Sequence, residues 1–98
     1  MARPEKLALE VPAQVGVGQA VSVFRFRDKT VQVWGAFVGA LQLEGSLDGD
    51  DFAPIGAPLT APGFVLVPMT VELLRVRVTE LTSGAPNAAI GGFDFRAF

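Results

Sequence analysis

Apolar and polar residues alternate along most of this chain with a period of two. Leu7, Leu9 and Val11 alternate with Lys6, Ala8 and Glu10, and Leu74, Val76 and Val78 with Arg75, Arg77 and Thr79. Successive side chains of a strand point to opposite faces, so this period predicts strands with one buried face each. Pro12 limits the first strand, and residues 14–18 read as a loop or weak edge. From Gln19 the pattern returns. Its apolar phase slips by one between Val23 and Phe24, where a bulge or burial on both faces reconciles the two registers. Asp28 and Lys29 are expected to turn the chain. Residues 30–34 form a β-branched strand, residues 35–39 interrupt it and residues 40–47 continue; the pair is read as a hairpin, with one strand bent by a glycine as the alternative.

The strongest local signal spans residues 41–55, two strands about an Asp48-Gly49 centre. A two-residue turn is expected there, because Gly49 accepts positive φ cheaply and Asp48 tolerates it. Residues 56–62 cannot donate ladder hydrogen bonds at their prolines and so belong on an edge. Residues 63–67 are a short, wholly apolar strand. Ser83-Gly84-Ala85-Pro86-Asn87 is a turn, and the last strand runs from Ala88 to about Phe98, with a bulge at Gly91-Gly92 and Phe93 and Phe95 opposed to Asp94 and Arg96. Seven or eight strands at spacings of roughly 8–12 residues indicate an all-β fold, an antiparallel β-sandwich or jelly-roll-like small barrel. No helix is required, and residues 1–98 read as one domain.

Composition narrows the possible functions. At 98 residues the chain can bury roughly 60–70% of its unfolded surface around a single core. It contains no cysteine, histidine or tyrosine. Disulfides, thiolate metal sites and Ser-His-Asp chemistry are thereby removed, as is the commonest transition-metal ligand. A net charge of −2 and a pI near 4.9 leave no basic footprint for nucleic acid. Half of the residues are hydrophobic and 18% are charged, against about 25% charged in an ordinary soluble domain. Either a membrane or cover by other protein chains accommodates such a surface. The uncharged run 52–71 carries Pro54, Pro58, Pro62 and Pro68, which exclude a spanning helix. The start, Met-Ala-Arg-Pro-Glu-Lys, lacks the long apolar core of a secretory signal peptide, so synthesis and use in the cytoplasm are expected.

Candidate chemistry is sparse. Asp48, Asp50 and Asp51, with Glu44 nearby, offer oxygens to a hard cation, but their spacing matches no EF-hand and a solvated turn accounts for them. No metal, cofactor or catalytic residue is assigned. Paired carboxylates for glycoside hydrolysis would need a cleft, and Lys6 and Lys29, in a strand and a turn, are poor bases for a serine. Arg75 and Arg77, with Arg25, Arg27 or Arg96, would make an anion patch. On the plainer reading they pair with Glu44, Glu72, Glu80 or Asp94, and a third possibility is salt bridges to another subunit. Most of the eight phenylalanines are expected to fill the core. Trp34 and Phe37, flanking a glycine-bearing turn, Phe64, just after the proline passage, and the terminal Phe98 are the candidate interface anchors, together with Arg75 and Arg77.

The run Val-Gln-Val-Trp-Gly-Ala-Phe-Val-Gly-Ala-Leu-Gln-Leu-Glu-Gly-Ser-Leu-Asp-Gly-Asp-Asp-Phe-Ala-Pro-Ile, followed by Leu-Leu-Arg-Val-Arg-Val-Thr and a Ser-Gly turn, resembles a pattern in small β-sandwich structural proteins of tailed bacteriophages. The resemblance covers residues 31–84. It implies a non-enzymatic virion protein, a capsid decoration or cement protein that acts as a trimer or dimer on another virion protein. A tail or baseplate accessory protein is an alternative within the same resemblance. A carbohydrate- or calcium-dependent binding sandwich, using Trp34 and the acidic turn, is the alternative from another class. The resemblance supplies no catalytic residue.

Overall fold

The computed structural model of the chain describes residues 4–94. Nine strands form two antiparallel sheets, and no helix occurs among the described residues. Sheet A contains β1 (Glu5–Leu9), β9 (Asn87–Asp94), β4 (Phe26–Trp34) and β7 (Gly63–Val67), in that order. Sheet B contains β8 (Leu73–Gly84), β5 (Phe37–Ser46) and β6 (Ala53–Leu59), and the two-residue strands β2 (Gly16–Val17) and β3 (Val21–Ser22) lie along the free side of β8. The antiparallel sandwich expected from the alternation is the fold observed.

The core between the sheets is aliphatic. Val31, Val33 and Ile90 of sheet A meet Leu41, Leu43, Leu74, Val76 and Val78 of sheet B, all at most 1% exposed. Full burial of each such side chain contributes roughly 1.5–3 kcal/mol, so this set is the main source of stability. Phe26 is buried beside them, whereas Phe37 is half-buried against the core, Phe52 and Phe93 are half-buried, and Phe24 and Phe64 are exposed. The expectation that phenylalanines fill the core is therefore corrected. The sheets lie close enough for valine and leucine to span the gap.

Several local readings also change. Between the core residue Val23 and Phe26 the chain leaves sheet B for sheet A through a turn closed by Phe26 N–H to the Val23 carbonyl at 3.0 Å. The apolar phase slip is thus a corner between layers. Asp28 and Lys29 form a bulge within β4, opposite Gly92, with Asp28 at a φ of 55°. The bulge expected in β9 lies on its partner strand, because Gly91 and Gly92 pair with β1 without interruption. β4 and β5 belong to different sheets, so the hairpin read there is a crossover at Gly35. β5 and β6 do form the hairpin centred on Asp48-Gly49, but the ladder closes at Gly45 and Ala53, leaving a longer loop than two residues. Only Gly49 has positive φ there, which a type I′ turn would require of Asp48 as well. The first part of the proline passage, residues 56–59 with Pro58, does run on an edge as the end of β6, whereas Pro62 lies in the loop before β7.

Candidate functional site

Two outer sheet faces are available to carry function, and they differ in how their groups are satisfied. On sheet B, Glu44 of β5 stands directly opposite Arg75 of β8 and diagonal to Arg77, which pairs with Gln42. Arg75 Nε donates to Glu44 Oε1 at 2.7 Å and Arg77 Nε to Oε2 at 2.9 Å. Burial pushes the Glu44 carboxyl up, but the hydrogen bonds and charges of Arg77 and Arg75 outweigh it and hold the group below its ordinary value. The Arg75 guanidinium also stacks 3.7 Å from the centre of the Phe52 ring. Beside this cluster Gln42 Nε2 donates to the carbonyls of Ile55 and Gly56, both at 3.2 Å, near the register shift between β5 and β6. This cluster is knit together by its own partners, while Val38 at the other end of β5 is exposed.

Arg25 lies away from that cluster, at the corner leading into sheet A. Its guanidinium sits 3.3 Å from Asp94 and 3.7 Å from Glu5, over the Phe26 ring. The anion patch considered from the sequence is not assembled from Arg25, Arg75 and Arg77. Arg96 lies outside the described residues.

The acidic loop is also internally organised. Asp48 Oδ1 accepts from the Ser46 hydroxyl and from the backbone N–H groups of Asp50 and Asp51, each at 2.9 Å. The N–H groups of Asp51 and Asp50, with the Ser46 hydroxyl, lower the Asp48 carboxyl to about 2. This carboxylate serves as the loop's organising acceptor. Among the described residues no group of three or more His, Cys, Asp or Glu side chains is placed to hold a metal.

Sheet A has a different outer face. The register of β9, β4 and β7 sets Ala89, Gln32 and Phe64 in one row and Gly91, Thr30 and Leu66 in the next. Small residues in β9 leave a shallow groove of about 390 Å³, floored by Ala89 and Gly91 and walled by Phe64 on one side and Pro4 and Lys6 on the other. Phe64 is 71% exposed and Leu66 72%. Trp34, at the end of β4, is 39% exposed with Lys6 Nζ 6.0 Å from its ring centre.

Of the anchors expected from sequence, Trp34 and Phe64 lie on this face. Phe37 packs on the core edge of sheet B, Arg75 and Arg77 serve Glu44, and Phe98 lies outside the described residues. Leu66 was missed. In a wholly apolar strand the sequence does not distinguish the inward from the outward residues, although the equal parity of Phe64 and Leu66 puts them on one face once either is placed.

No family model and no curated protein matches the chain. Its fold is similar to that of a solved structure, the SPBc2 prophage-derived protein YomS, with a TM-score of 0.78 over 95% of each chain and 9% sequence identity. At that identity the likeness concerns the fold.

Proposed function

We propose that this chain is a non-enzymatic structural protein of a bacteriophage particle, a decoration or cement protein that seats on the capsid as a small oligomer. One observation carries the reading: the outer face of sheet A keeps Trp34, Phe64 and Leu66 in water while sheet B satisfies its own outer charges. Covering apolar area stabilises an assembly by about 25 cal/mol per Å² removed from water, so such a face favours attachment to another chain. The likeness to a prophage-derived protein along nearly the whole chain supports a phage setting. A composition poor in charge suits a body covered by other chains. The calcium-dependent alternative draws no support from the acidic loop, whose central carboxylate oxygen already accepts from three donors.

Antibodies raised against the purified chain, applied to particles released by the strain that encodes it and viewed by electron microscopy, test the reading. Label at repeated positions over the head is the expected result. Label confined to the tail would move the protein to the tail or baseplate, and unlabelled particles would remove it from the virion.

A further inference from the structure

A β-sandwich with two open sheets has four edges, and edges invite pairing with other chains unless something blunts them. Three of the four here are blunted. β1 carries Glu5 and Lys6 within its five residues, β6 carries Pro54 and Pro58, and the free side of β8 is covered by β2 and β3, each two residues long. β7 has no such device. It is five residues long, uncharged, free of proline inside the strand, and in continuous register with β4 on its other side. Pro62 and Pro68 stand immediately outside it and limit the ladder to residues 63–67.

We infer that β7 is a homodimerisation edge, pairing antiparallel with β7 of a second copy about a two-fold axis at Val65. The register follows from the strand itself. With Val65 opposite Val65 of the second copy, Gly63 faces Val67 and Phe64 faces Leu66, and every strand residue is matched while the flanking prolines stay outside. Moving the axis by one residue to Phe64 or Leu66 would bring a proline or a loop residue into the ladder, where a missing N–H or an unpaired residue weakens it. On the outer face the pairing sets each 71%-exposed Phe64 beside a 72%-exposed Leu66, an aromatic–aliphatic cross-strand pair made twice by symmetry. The uncharged run 52–71 brings no like charges together at the axis. The two sheets A then become one continuous sheet of eight strands.

Area sets the strength. A phenylalanine carries roughly 150–250 Å², so two Phe64–Leu66 pairs cover on the order of 500 Å², short of the roughly 1,200–2,000 Å² of a stable specific interface. The backbone ladder adds alternate N–H and C=O groups to that, and the product is a reversible dimer whose population rises with concentration. The inference rests on the proposed function only for the oligomer named there. Its test is a solution measurement, so it fails or stands separately from the labelling of particles.

Sedimentation equilibrium from about 5 to about 500 μM, a span that covers weak association, tests it with Phe64→Glu and Leu66→Lys. Both sites are exposed, and melting curves confirm that each variant is folded. The native chain is expected to dimerise, each variant alone to stay monomeric, and an equimolar mixture of the two to dimerise again. In the mixture the new carboxylate and ammonium face each other across the axis once, and the other Phe64–Leu66 pair is native. A native chain that is monomeric throughout would overturn the inference and leave the edge to a different partner. Variants that dimerise unaided would place the contact elsewhere, and a mixture that stays monomeric would overturn the Val65 register.

Discussion

Asp48 shows how one side chain shapes a loop that its residue types alone leave open. Its carboxylate gathers the Ser46 hydroxyl and two backbone N–H groups, and those donors favour the ionised form. Because its folded-state value, about 2, lies below the ordinary 3.8, the stabilisation is present above pH 4 and is lost as pH falls toward 2. Asp48→Asn removes that contribution. Urea unfolding of the native chain and this variant should show a stability gap that is constant above pH 4 and closes between pH 4 and 2, with a gap unchanged down to pH 2 contradicting the account. Glu44 is lowered in both proteins and so drops out of the difference. The sequence offered Glu44, Glu72, Glu80 or Asp94 as partners of the two arginines, and the structure resolves them into one carboxylate, Glu44, shared by two guanidiniums. What the sequence could not assign was which of several acids each arginine would reach, because that depends on register.

Among the elements most strands were legible, but of the two hairpins read from the sequence the one of β5 and β6 formed and the one of β4 and β5 did not. Period-two alternation located β1 and β8, turn residues bounded β7, and prolines put β6 on an edge. Alternation is a local property, whereas sheet membership depends on where the chain goes next. Gly35 therefore looked like a hairpin turn although it carries the chain from one layer to the other. The same holds at Asp28, which reads as a turn residue and instead takes positive φ inside a bulge. That bulge explains Gly92: a Cβ there would stand 2.9 Å from Phe26 Cβ and 3.0 Å from the Arg27 carbonyl oxygen. Gly92→Ala is expected to cost about 1–3 kcal/mol, since neither the packed Phe26 nor the backbone yields easily. Gly63→Ala, where a Cβ meets nothing within 4 Å, should stay within about 0.5 kcal/mol. Denaturant unfolding of both variants checks the contrast, and equal losses would contradict the close approach at the bulge.

For the whole molecule, hydropathy and charge foretold an exposed apolar surface but not its location. An excess of hydrophobic residues says that something must be covered, and the fold decides which face. Aliphatic residues fill the gap between the sheets, which leaves Phe64, Leu66 and Trp34 on the outside of sheet A, while sheet B carries the Glu44 cluster and exposes Val38 and Val17 singly. On the function proposed above, this charge-poor sandwich covers sheet A against other chains, beginning at the β7 edge. Amide hydrogen exchange of the native chain at low and high concentration tests it most directly. Protection is predicted to rise with concentration in residues 63–67 and to stay unchanged in β1 and β6. Exchange in β7 that is independent of concentration, or protection gained instead at β1 or β6, would contradict it.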